Sequence, residues 1–112
     1  MNGPYEFNLK NITDIVNKVS SGAYILSRNG NNANYVGRSD TNIKSRLESW
    51  LNEYHNYTHF WFEYTNSQLT AFETECNWWH KYHPIDNKIH PDRPANSNWL
   101  CPVCMFFNNI RG

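Results

Sequence analysis

The sequence predicts a small α/β (α+β) domain, a three-stranded antiparallel sheet flanked by helices and followed by an irregular C-terminal tail. Three observations lead there. Two short extended runs are joined by an Asn-Gly turn, three other segments carry apolar residues at helical spacing, and residues 88–112 are rich in Pro and Asn with neither period. At 112 residues the chain has room for one domain, with a core at 22–87 and an extension at 88–112.

The first helix is expected over residues 11–20, where Ile12, Ile15, Val16 and Val19 fall on one face. Residues 23–28 and 33–38 read as two strands of a hairpin, because Asn29-Gly30-Asn31-Asn32 between them tolerates positive φ. A second helix is expected over 41–54, with Asp40 as N-cap and Ile43, Leu47, Trp50, Leu51 and Tyr54 on its apolar face. The aromatic run at 58–64 fits a third strand. From Ser67 the pattern is helical again, with Leu69, Phe72, Cys76 and Trp79 in one stripe and Pro84 ending it. Helices alternating with antiparallel strands give the fold class.

Composition limits the function classes. Five Trp, seven Tyr and six Phe supply core material, and rings on which bases can stack. Ten Lys+Arg balance ten Asp+Glu, which argues against a strongly basic, non-specific nucleic-acid binder but leaves room for a local basic patch. No apolar run reaches membrane-spanning length, and the first residues lack a basic start followed by an apolar stretch. A cytoplasmic protein without membrane contact is therefore expected. Three Cys, two of them as Cys101-Pro-Val-Cys104, suggest a metal or reduced thiols rather than a disulfide framework.

The chemistry-bearing residues gather around the hairpin. Tyr24 on the first strand and Tyr35 on the second can approach on one face, Arg38 follows directly, and Arg46 flanks the apolar stripe of the second helix. Glu75 flanks the stripe of the last helix. Taken singly, each has an ordinary structural explanation: strand tyrosines pack, and lone helix charges are solvated. Their order along the chain is what sets them apart.

That order resembles the GIY-YIG nuclease family. Gly22-Ala23-Tyr24 is similar to its first motif and Tyr35-Val36-Gly37 to its second; Arg46 matches the Arg of its first helix, Glu75 its metal-binding Glu, and Pro84 and Asn87 the Pro and Asn that follow. The resemblance spans residues 22–87. It implies a metal-dependent endonuclease that hydrolyses DNA phosphodiester bonds. In that reading Glu75 holds Mg²⁺ (or Mn²⁺), Arg46 clamps a phosphate oxygen, Tyr24 activates the attacking water, Tyr35 positions it, and Asn87 orients the site by hydrogen bonds. Hard cations that keep several waters suit a single carboxylate, and the guanidinium fork fits phosphate. Arg38 is assigned a supporting role, lowering a tyrosine pKa by its charge.

The sequence departs from the family at Ala23, where the motif has Ile, and at Trp50, where many relatives carry Tyr or His. Trp cannot transfer a proton, and Tyr54, His55 and His59 are the nearest substitutes. The tail adds half of a zinc site in Cys101 and Cys104, with His80 and His83 as candidate partners and His90 further on. Cys76, inside an apolar stripe, reads as a core residue. Alternative functions are a catalytically weak nucleic-acid-binding module of the same fold, or a zinc-stabilised interaction protein. With no separate recognition domain visible, specificity is expected from the tail, a homodimer or a partner protein.

Overall fold

The computed structural model describes residues 1–105. Among them are four strands, β1 (Asn2–Glu6), β2 (Gly22–Ser27), β3 (Tyr35–Ser39) and β4 (His59–Tyr64), and three helices, α1 (Leu9–Ile15), α2 (Ile43–Leu51) and α3 (Gln68–Tyr82). The strands form one antiparallel sheet in the order β1-β4-β2-β3. The sheet therefore has four strands where three were expected. The added strand, β1, is an edge strand with a register irregularity between Asn2 and Tyr5, and Gly3 and Pro4 fall inside that irregularity. An edge bulge is where a sheet accepts these two residues.

Strand β2 is buried along its whole length between β3 and β4. Its alternating side chains serve two layers. Tyr24 and Leu26, with Phe60, Phe62, Ile12, Val16, Ile43 and Leu47, build the larger core beneath α1 and α2. The opposite face takes α3, which buries Ala71, Phe72, Glu75 and Cys76. Leu69, expected in the buried stripe, is 37% exposed.

Side-chain caps fix the helix starts. Asn8, Asn42 and Ser67 accept from the backbone N–H groups of Asn11, Ser45 and Thr70. Asn42, not Asp40, caps α2, because the Asp40 carboxylate is drawn to Arg38. Helix α2 stops at Leu51, so Tyr54 lies beyond it and is exposed. At the hairpin, Asn29 Oδ1 accepts from the N–H groups of Asn31 and Asn32, and Gly30 takes φ +78°. The turn is longer than expected, and β3 begins at Tyr35. Among the described residues no helix is long and apolar enough to cross a membrane.

Candidate active site

The register sets the first half of the site. Tyr24 lies opposite Gly37, and Tyr35 lies opposite Leu26, so both tyrosines are on the α2 side of the sheet. Their rings stack at 6.3 Å between centroids. A Cβ at Gly37 would sit 2.5 Å from the Tyr24 ring and hydroxyl, so the Tyr24 ring lies across a bare stretch of β3 that only glycine provides.

Helix α2 brings two donors to the Tyr24 hydroxyl. Trp50 Nε1 donates to its oxygen at 2.8 Å and Arg46 Nε at 3.4 Å. Trp50 thus takes up the place of the absent Tyr or His as a hydrogen-bond donor. None of the three substitutes has a bond to Tyr24: Tyr54 is exposed, His55 stacks on Phe7 and Tyr57, and His59 bonds Thr58 beneath Gly30. Burial pushes the Tyr24 hydroxyl up to about 12, with the neighbouring Tyr35 adding to the rise and the Trp50 and Arg46 bonds opposing it. The expectation that Arg38 lowers a tyrosine pKa is not met, because Arg38 lies on the other face of the sheet and is engaged there.

Arg38 pairs across the hairpin with Ala23, and its side chain meets α3. Nη1 donates to Glu75 Oε1 at 2.6 Å and to the Asp92 carbonyl at 2.6 Å, while Nε donates to Asp40 Oδ1 at 2.8 Å. The guanidinium lies over the Phe72 ring at 5.3 Å. Glu75 is 8% exposed. Burial raises its carboxyl to about 7, the charge and hydrogen bond of Arg38 pull it back, Asp40 raises it, and Arg46 pulls it down in part. The two halves meet around the outer strand β3. Tyr35, raised first by burial, also feels the negative charge of Glu75 and the positive charge of Arg46.

Asn87 stands behind β3. Its Oδ1 accepts from Val36 N–H at 3.2 Å, its Nδ2 donates to Val36 C=O at 2.7 Å, and its carbonyl accepts from Trp79 Nε1 at 2.7 Å. It holds the strand carrying Tyr35 and Arg38 against the end of α3. Two contacts had no sequence signal: the Asp92 carbonyl on Arg38, and the Trp50 bond to Tyr24.

The tail brings Cys101 and Cys104 to His80 and His90, with one ligand atom from each within 4.8 Å of the others. His83 is not in this group. Helix α3 ends between His80 and His83, and His83 is the left-handed C-cap at φ 48°, exposed and turned off the His80 face. His90 takes its place. Burial, then the neighbouring His90 and His83, lowers the His80 pKa. Cys76 is a core residue packed with Cys101 in one buried cluster, and no disulfide joins the three cysteines.

No protein-family model matches the chain, and no curated protein matches it. Among solved structures it is similar to the GIY-YIG N-terminal endonuclease domain of UvrC from Thermotoga maritima bound to its catalytic divalent cation, magnesium, at 24% identity and a TM-score of 0.59. The match covers 71% of this chain and 98% of that domain. A point mutant of the same domain, bound to its catalytic divalent cation, matches at 22% identity with the same coverage and TM-score. The chain has the GIY-YIG fold, an α+β domain built on an antiparallel sheet.

Proposed function

We propose that this chain is an endonuclease that hydrolyses DNA phosphodiester bonds with one divalent cation, Mg²⁺ or Mn²⁺. The observation that carries the reading is the meeting of Tyr24, Tyr35 and Arg46 with the Arg38–Glu75 pair around the edge of β3. This brings a hydroxyl, a phosphate-binding fork and a carboxylate together, the parts in-line hydrolysis needs.

Glu75 fits a hard cation. Its Oε1 is held by Arg38, and no hydrogen bond to its Oε2 occurs among the described residues, which leaves a carboxylate oxygen for a metal. When bound, the cation supplies positive charge to the scissile phosphate and the leaving oxygen. The chain's own residues do the rest. Arg38 fixes the Glu75 carboxylate. Arg46, exposed on α2, grips a phosphate oxygen. Tyr24, in its ionised form, takes the proton of the attacking water, Tyr35 positions that water, and Asn87 sets β3 in place. Glu75 is the sole protein carboxylate on the cation, and Asp40 is committed to Arg38. The chain acts in the cytoplasm, with a homodimer or a partner protein supplying specificity.

The test is nicking of supercoiled plasmid with Mg²⁺ or Mn²⁺. Glu75→Gln preserves volume and removes the charge, so cleavage should disappear while circular dichroism and melting stay those of a folded chain. Arg46→Lys should cost roughly 3–4 kcal/mol in the transition state, a hundred- to thousandfold in rate. Wild-type nicking retained by folded Glu75→Gln protein would overturn the site. A second reading, a weakly catalytic binding module, draws on the burial that keeps the proton on Tyr24 and on Trp50, which donates to that hydroxyl but cannot carry a proton. It prevails if the wild type cuts no DNA or RNA form with either cation.

A further inference from the structure

The segment after α3 closes on that helix through residues the phosphodiester site does not use. Phe72, Cys76 and Cys101 form a small buried cluster with Trp99 packed against it. Beside it stand His80, His90, Cys101 and Cys104. We propose that these four residues form a structural site for one Zn²⁺, with two nitrogen and two sulfur ligands, which fastens the segment after α3 to the helix that carries Glu75.

The donor set selects the metal. Zinc takes four N and S ligands in a tetrahedron, with bonds of about 2.0–2.3 Å, so that neighbouring ligand atoms lie about 3.3–3.8 Å apart. Here all four atoms lie within 4.8 Å of one another, and Cys104 Sγ to His90 Nε2 is already 3.4 Å. No carboxylate belongs to the group, which disfavours Mg²⁺ or Mn²⁺ and sets the site apart from Glu75.

The surroundings prepare the ligands. His90 Nδ1 lies 2.8 Å from the Pro91 carbonyl, a bond in which Nδ1–H donates and which leaves the Nε2 lone pair for a metal. His80 Nε2 is buried and, among the described residues, has no hydrogen-bond partner. A buried ring nitrogen in that state is costly unless something else satisfies it, and a metal bond does so. The Cys-Pro-Val-Cys loop curls about its first sulfur. Val103 N–H lies 3.4 Å from Cys101 Sγ, and Met105 N–H donates to the Cys101 carbonyl at 2.9 Å. The loop is thereby closed with the Cys101 sulfur on its inner side, next to the Val103 N–H.

The site has a consequence for Arg38. Asp92, whose carbonyl accepts from Arg38, lies on the loop between His90 and Cys101. Metal at the tail therefore holds one of the three acceptors of the guanidinium that fixes Glu75. This consequence rests on the nuclease reading; the metal site does not.

The experiment uses the full chain, free of any polyhistidine tag and purified without chelator. Elemental analysis should find about one zinc per chain. Replacement by Co²⁺ should give the intense visible bands of a tetrahedral site with thiolate-to-cobalt charge transfer. Cys104→Ala and His90→Ala should lose stoichiometric zinc, with affinity lowered at least tenfold, while His83→Ala keeps it. Zinc-free protein with native circular dichroism and a melting temperature indifferent to chelator would overturn the proposal. So would a Cys101–Cys104 disulfide in unreduced protein from a reducing cytosol, or equal zinc loss in His83→Ala and His90→Ala. Metal content of the unaltered chain is read first, so a Cys variant that fails to fold leaves the test intact. Zinc without nicking would refute the nuclease reading alone.

Discussion

The Tyr24 hydroxyl oxygen receives two hydrogen bonds, from Trp50 and Arg46, and sits where burial raises its pKa to about 12. Both donors favour the ionised form, while burial opposes it more strongly. A base must be deprotonated to act, so at neutral pH the competent fraction is small, about one in 10⁵ for a pKa near 12. Cleavage should therefore rise with pH, close to tenfold per unit between about pH 7 and 9, where cation and fold persist. Initial nicking rates across that range measure it, and a flat profile in the wild type rules Tyr24 out as the base. Tyr24→Phe should flatten the profile, and Trp50→Phe, which removes the shorter donor bond, should lower rates about tenfold or more at every pH. Tyr35→Phe should be milder, because in the proposed mechanism that hydroxyl only positions water. The sequence showed Trp50 as a missing proton carrier, since residue type alone excludes proton transfer. It did not show the indole N–H reaching Tyr24, because that depends on how far α2 packs over β2.

Among the elements, turn chemistry located the hairpin of β2 and β3, and helical spacing located α2 and α3, because each of these helices buries one side on the sheet. Strand β1 was not legible. Its residues are mostly exposed, two of them are Gly3 and Pro4, and its pairing with β4 comes from backbone hydrogen bonds that leave no side-chain pattern. The last turn of α3 was misread for a related reason. His80 and His83 have helical spacing, but the left-handed cap at His83 turns the chain away between them. Strand β3 ties both halves of the site together and depends on a glycine. Gly37→Ala puts a methyl 2.5 Å from the Tyr24 ring, which packing on β4 and α2 prevents from moving freely. The substitution should destabilise the fold by about 1–3 kcal/mol, read as a lower denaturant midpoint, and should reduce cleavage further by displacing the hydroxyl. Unchanged stability in Gly37→Ala would mean that Tyr24 does not lie across β3 as described.

At the scale of the whole molecule, charge is the constraint. Ten basic and ten acidic side chains cancel, and the basic groups at the site are few. Arg38 is surrounded by Glu75, Asp40 and the Asp92 carbonyl, so its charge is spent inside the protein. Arg28 is similarly paired with Asp86, which also accepts from Tyr57. Of the two arginines at the site, Arg46 is the one left to meet a phosphate, and its listener inside the protein is the neutral Tyr24 hydroxyl. Binding that neutralises one or two phosphates releases few counterions. The isolated chain should therefore bind duplex DNA weakly, with log affinity falling against log salt at a slope of about −1 to −2, from about −0.9 per phosphate contact. Fluorescence anisotropy with catalytically silent Glu75→Gln protein, titrated at several salt concentrations, gives that slope directly. Arg46→Ala should bring it towards zero, whereas Arg38→Ala should change it little and act on stability and cleavage instead. A slope steeper than about −4 would mean a further basic surface, on the tail or on a second copy, beyond Arg46. A shallow slope leaves affinity to come from elsewhere, which is why a partner or a dimer belongs to the functional reading: the proposed cleavage centre would have little electrostatic hold on DNA of its own.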